Sequence, residues 1–338
     1  MTRIVAALVA LLAGAQTASL DPGISAVFTR YWRFTTSDMA DLRKGRVVKH
    51  SLETPSTGEI AVAGAIRVVA SPSAFVDAVR NIVEFKKNPD VLQIGRFSDP
   101  PQLDDLRALS VDKSDFDAAS CRVNDCGVRL PADVIRRLPS EVDVNAPDAQ
   151  EHAAQWFKQA LFTHVNAYWS GTAGRFLTYD DDEKQIRPVE ELNGLMKNAP
   201  AIGALSPTLM NHLASFPANR MAGAEDFLYW SKEKFGIEPF ITVTHVVIAC
   251  PSESLCLVAS KDVYSSRYID ASLALSVTSL DTGDARAFYL VYVNQSRSSS
   301  LKGRLSGLRK SIAERRARGS LEETLKSLRR RFEEQPHR

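Results

Sequence analysis

Through much of its last third the chain alternates apolar and polar positions with a period of two, and then changes to helical spacing. Four strand-like runs follow one another from Phe240. In the first, Ile241, Val243, His245 and Val247 alternate with Thr242, Thr244, Val246 and Ile248. The next two cover 257–264 and 268–280, and the fourth covers 286–294 after the turn Asp281-Thr282-Gly283-Asp284. Such short connections make antiparallel neighbours the economical arrangement. Within 268–280, Ile269, Ala271, Leu273, Leu275 and Val277 form a dry face, and Tyr268, Asp270, Ser272, Ala274 and Ser276 a mixed one. Beyond the strands, Leu301, Leu305, Leu308 and Ile312 fall on one helical face. The spacing restarts after Gly319 as Leu321, Leu325, Leu328 and Phe332, with a capping-box pair at Ser320 and Glu323, which predicts two helical pieces broken at Gly319.

Earlier in the chain, 45–52 and 59–69 read as strands. Both faces of the second are apolar, so it is expected to be covered on both sides. Ser71-Pro72 supplies an N-cap and a favoured first helical residue, and Phe75, Val76, Val79, Ile82 and Val83 continue at helical spacing. A further strand is expected at 91–97, before the loop signal Pro100-Pro101. A short helical lead-in at 24–42 carries Phe28, Tyr31, Trp32 and Phe34 as buried anchors. The stretch 131–235 reads mainly as helices, with Ala153, Trp156, Phe157, Ala160, Leu161, Val165 and Trp169 on one face, and shorter pieces at 190–196, 207–213 and 226–235. An aromatic stripe of that kind serves either as core or as a ligand-facing wall.

The first residues change the expected compartment. Arg3, the apolar run Ile4 to Leu12 and Ala13-Gly14-Ala15 form an export-signal pattern cleaved after Ala15, and the apolar run is shorter than the roughly 20 residues a spanning helix needs. A periplasmic or secreted protein is expected. Its cysteines form two tight pairs, Cys121/Cys126 and Cys250/Cys256, which in an exported chain read as local disulfides. The second pair would staple the hairpin turning at Pro251-Ser252-Glu253-Ser254. A four-cysteine zinc site fits less well, because the pairs enclose four and five residues, although all three pairings remain open on sequence alone. With 44% apolar and 24% charged residues the composition is that of a globular protein, and a net charge of +2 gives no sign of a nucleic-acid partner. Charge is uneven, however, with twelve Lys or Arg against five Glu from Leu301 to Arg338. That end would suit an anionic membrane surface, or form the solvated side of a helix packed on the sheet.

An early strand running into Ala70-Ser71-Pro72-Ser73-Ala74-Phe75-Val76-Asp77-Ala78-Val79, then a closing antiparallel series and a long helix, resembles the START-like helix-grip proteins, which include lipid-transfer domains and polyketide cyclases. The resemblance covers 45–97 and 240–312. It implies an α+β fold in which a curved antiparallel sheet grips the long C-terminal helix, with an apolar cavity between them for a lipid, sterol or polyketide-like molecule. The expected organisation is a signal at 1–15, N-terminal strands and helix at 24–130, a largely helical insertion at 131–235 acting as a lid or separate subdomain, and the closing strands and helix at 236–335.

Motifs for common hydrolases, zinc proteases and nucleotide binding are missing from the sequence. Neither a cofactor nor a metal is expected. The consecutive carboxylates Asp180-Asp181-Asp182-Glu183 lack the spacing of a calcium loop and read as a solvated loop. His245 stands in an apolar strand, and in an alternative reading as an enzyme on a cyclic or lipid-like substrate His245 or Asp270 is the candidate acid or base if the neighbouring strands converge, while Tyr264, Arg267, Tyr268 and Tyr292 are the candidate ligand-binding residues. In the structural alternative, His245 is a core histidine and Arg267 pairs with Asp270. Asn294-Gln295-Ser296 spells a glycosylation sequon at a strand end.

Overall fold

The computed structural model describes residues 20–56, 58–172, 178–182, 184–234 and 238–334. The expected export signal and Glu183 lie outside them. The fold is α+β, built on one curved, unclosed antiparallel sheet of eight strands. These are β1 (Val48–Ser51), β2 (Glu59–Val68), β3 (Val91–Arg96), β4 (Glu225–Lys234), β5 (Pro239–Ser252), β6 (Leu255–Ser265), β7 (Ala271–Leu280) and β8 (Phe288–Arg297), in the spatial order β1-β2-β8-β7-β6-β5-β4-β3. From β3 onward the sheet is a meander, and its last strand returns to pair with β2, with Gly64 opposite Tyr292. The chain then ends in a long helix, α10 (Ser306–Glu333), and the arrangement is compatible with a helix grip.

Helices cover both faces. On one, α3 (Pro72–Arg80) and α4 (Ile82–Phe85) join α10. Ser71 caps α3, its hydroxyl accepting the Ser73 N–H at 3.3 Å, and Phe75, Val76, Val79 and Ile82 pack with Val62, Ile66, Phe288 and Leu290 beneath Leu321, Leu325 and Phe332. The approach of α10 to β2 depends on Gly64, where a Cβ would lie 2.8 Å from a Leu321 methyl and 3.0 Å from a Leu325 methyl. On the opposite face lie α1 (Pro22–Trp32), α2 (Thr36–Arg43), α5 (Ala132–Glu141), α6 (Ala149–Ser170), α7 (Pro188–Lys197), α8 (Pro200–Leu205) and α9 (Pro207–Ser215). There Ala61, Ala63 and Ala65 of β2, Leu273, Leu275 and Val277 of β7 and Val291 of β8 meet Phe28, Leu195, Ile202 and Leu209. Farther along, Leu228, Trp230, Ile241 and Val243 meet Phe157, Leu161, Val165 and Trp169 of α6. The aromatic stripe of α6 is therefore core.

Several expectations are corrected. Of the helix expected at 226–235, residues 226–234 are strand and residue 235 lies outside the described residues: β4 runs from Glu225 to Lys234, Phe227 and Tyr229 facing α3 and α4 while Leu228 and Trp230 face α6. Both faces are buried, so the run lacks the alternation that marks a half-exposed strand. Nor does the last helix break at Gly319, whose Cβ position is open. A lone helical glycine costs only about 1 kcal/mol. Without a break, Ile312 sits nine residues before the buried Leu321, about 180° around the helix, and it is exposed with Leu305 and Leu308 instead of packing. The acidic run is not simply a solvated loop either. Asp180 and Asp181 carbonyls accept the Asn124 and Cys126 N–H groups, and the Asp180 carboxylate accepts the Ala132 N–H at 2.9 Å. Asn294 of the sequon lies within β8, paired with both Val62 and Ala274.

Both local cysteine pairs are disulfides, Cys121–Cys126 and Cys250–Cys256. They suit an oxidising, exported location. No helix among the described residues is long and apolar enough to cross a membrane.

Candidate functional site

His245 does sit at the centre of a polar cluster, but with partners other than those its sequence neighbours suggest. As an odd-numbered position of β5 it points to the insertion side, in a cross-strand row with Leu228 and Lys261. Its Nδ1 lies 2.7 Å from the Tyr168 hydroxyl on α6, and its Nε2 lies 2.8 Å from Asp226 Oδ1 at the start of β4. His212 Nε2, from α9, reaches the same oxygen at 2.8 Å. The Met221 N–H donates to His212 Nδ1 at 2.9 Å, so that nitrogen is unprotonated and Nε2–H donates to Asp226. Asn219 O, 3.2 Å from the same Nδ1, could accept only from the other tautomer.

Burial governs the charges here. It pulls His245 down to about 4 against the hydrogen bond to Asp226, and the nearby Lys261 charge pulls the same way. Burial alone would raise Asp226, but hydrogen bonds from His245 and His212 outweigh it and hold the carboxyl below its ordinary value. Lys261 is lowered to about 8 by burial, partly offset by Asp226, and its ammonium donates to Leu213 O at 2.5 Å. Tyr168 is raised well above its ordinary value by burial and then by the Asp226 charge.

His212, Asp226 and His245 each offer one ligand atom within 4.8 Å of the others, a spacing that suits a metal ion as well as hydrogen bonds. The tautomers favour hydrogen bonds, since a metal at His212 Nε2 would require the proton on Nδ1 and would orphan the Met221 N–H. Both imidazoles are wholly buried. The cluster thus acts as a sealed Tyr-His-Asp-His chain tying α6 and α9 to the sheet. Sequence reasoning singled out His245 and missed Tyr168, His212, Asp226 and Lys261, because the partners come from distant segments with no shared spacing.

The other candidates lie elsewhere. Asp270 is buried in an ion pair with Arg129 at 2.6 Å, and Arg129 also donates to Ile269 O. Arg267 pairs not with Asp270 but with Glu238 at 2.5 Å, and donates to the carbonyls of Gly127, Ser114 and Asp115. The Tyr268 hydroxyl meets the Glu238 backbone. Tyr264 donates to Arg129 O at 3.1 Å beside a cavity of about 20 Å³, the size of a single water. His245 and Asp270 share no hydrogen-bond partner among the described residues and line neither this cavity nor the larger pocket. Tyr292 stands on the α10 face, where burial raises it to about 12. Near it Asp262 is raised to about 7 by burial, opposed by a 3.1 Å hydrogen bond from Thr244.

A pocket of about 240 Å³ lies on the insertion side, opposite α10. Leu273 and Leu275 of β7 and Val293 of β8 form its floor, and Tyr31 and Trp32 of α1 face Ala201 and Ile202 of α8 across it. Its Asn198 and Gln295 are fixed: Asn198 donates to both Glu59 carboxylate oxygens at 3.1 and 3.3 Å, and Gln295 to Asn198 O at 2.9 Å. Arg33 at the rim pairs with Glu53 at 2.7 Å. Arg30 lies over the Tyr31 ring and meets no carboxylate among the described residues. No signal in the sequence joined these segments, which the fold brings together as α1 packs on α8 and Asn198 bonds to Glu59 and Gln295. Compared with protein-family models, curated proteins and solved structures, the chain matches none of them.

Proposed function

We propose that this is a binding protein for a small amphipathic molecule with an apolar body and an anionic end, held in the pocket between α1, α8 and the sheet. The carrying observation is the combination there of an apolar floor, Leu273, Leu275 and Val293, with polar groups around it and a cationic Arg30. Pockets for small molecules run from about 300 to 1,000 Å³, so 240 Å³ suits a single short chain or ring system better than a two-chain lipid. Burying such a body would contribute about 25 cal/mol per Å² of apolar surface, and Arg30 would orient the charged end. The START-like reading is supported by the element order, with the difference that this pocket is on the face away from α10.

Anilinonaphthalene sulfonate, apolar in body and anionic at one end, is a suitable probe. Fluorescence titration should give saturable binding, weakened about tenfold by Arg30→Glu, the effect of a lost charge-assisted contact, and abolished by Ala201→Trp, which fills the pocket. Native mass spectrometry of the purified protein should show a small bound mass that Ala201→Trp lacks. Binding unchanged in both variants would remove the basis for this assignment.

A further inference from the structure

The N-terminal half of α10 differs from the rest of the helix. Leu305, at its N-cap, is 70% exposed, Leu308 59% and Ile312 43%, three of the six large apolar side chains exposed on the described residues. The spacing of three and then four residues sets them in one stripe along the helix. Around the stripe stand Arg304, Arg309, Arg315 and Arg316, all exposed and none ion-paired with a carboxylate among the described residues. From 301 to 319 there are seven basic residues and one acid, whereas from 320 to 334 there are four of each. In that second half Leu321, Leu325 and Phe332 are buried, and Lys326 and Arg329 pair with Glu322, Glu323 and Glu333. One half of the helix is packed and neutral; the other is cationic and presents an unpartnered apolar stripe.

We propose that this first half is a docking surface for an anionic lipid bilayer. The arginines complement anionic headgroups, each worth about fivefold in partitioning, and the three apolar side chains are long enough to enter the headgroup and acyl boundary. The contact is peripheral: the helix carries too many charges to cross a bilayer. An acidic macromolecule would meet the arginines equally well but has no comparable use for a protruding leucine stripe. This inference does not depend on the pocket, which lies on the other side of the sheet.

Co-sedimentation of the full chain with phosphatidylcholine vesicles, with and without phosphatidylglycerol, tests it. The protein should pellet with the phosphatidylglycerol vesicles at least tenfold more than with phosphatidylcholine alone. Leu308→Ser/Ile312→Ser and Arg315→Glu/Arg316→Glu, both at exposed positions, should each reduce that binding about tenfold or more, and added salt should weaken the wild type while leaving the arginine variant little changed. Circular dichroism would verify that both variants remain folded. Equal binding to the two vesicle types, binding that ignores both variants, or no binding at all would overturn the proposal. So would binding to heparin that matches vesicle binding and persists in the leucine/isoleucine variant, since that would assign the arginines to an acidic macromolecule.

Discussion

His245 is neutral at pH 7 because its surroundings solvate a proton poorly, and this has a measurable cost in acid. The unfolded imidazole titrates near 6.5 and the folded one near 4. Between those values the unfolded chain holds the extra proton, so stability from this residue is full above pH 6.5 and declines as pH falls toward 4, by at most roughly 3 kcal/mol. Asp262 runs the other way: it titrates near 3.8 unfolded and near 7 folded. Its contribution is full below pH 3.8 and is lost as pH rises toward 7. Asp262 retains some solvent contact, so its effect is roughly 1–2 kcal/mol. Urea titrations should therefore find Asp262→Asn more stable than wild type at pH 8 and no more stable at pH 4. His245→Gln, which keeps hydrogen-bonding capacity without titrating there, should flatten the fall between pH 6.5 and 4; an unchanged slope would show that His245 does not govern it. At this scale the sequence revealed that His245 was unusual, since a histidine in an apolar strand needs partners. It did not reveal which, because Tyr168, His212 and Asp226 are joined to it only by the path of the insertion.

Among the elements, most boundaries followed from local chemistry. Ser71-Pro72 opens α3 as its capping residues require, and the alternating runs from β5 to β8 became strands in the expected order. Reading failed where burial on both sides erased the alternation, at β4, and where one glycine was given the power to end a helix. The uninterrupted turn through Gly319 reverses the meaning of Leu308 and Ile312, which are core positions only if the helix is re-phased. Gly64 gives the tightest test of how α10 is seated. Gly64→Ala should lower stability by about 1–3 kcal/mol, the cost of overpacking, measurable as a lower urea midpoint. A neutral result would mean that Leu321 and Leu325 have room to retreat. The Cys250–Cys256 link closes a small loop, and its removal by Cys250→Ser/Cys256→Ser should cost about 2 kcal/mol by loop entropy, read as a fall in thermal midpoint.

For the whole molecule, the sealed polar chain makes the insertion structurally continuous with the sheet. Detaching α6 and α9 would expose His245 and Lys261 and strip Asp226 of a partner. Unfolding followed by far-ultraviolet circular dichroism and by tryptophan fluorescence should give coincident transitions, because Trp169 belongs to the covering helix α6 and Trp230 to β4 of the sheet. Two separated transitions would mean that the insertion melts alone. The pairing of β2 with β8 also constrains the order in which the chain acquires its shape. Each cysteine pair closes over five or six positions and is available almost as soon as it is made. Residue 62, by contrast, must wait for residue 294 before the sheet has its full width. Such distant pairing is slow relative to local contacts. A ribosome or translocation channel delivering this chain from its N-terminus therefore handles an incomplete core until nearly the last strand has emerged, which makes the interval before closure the period of greatest exposure to proteases and aggregation.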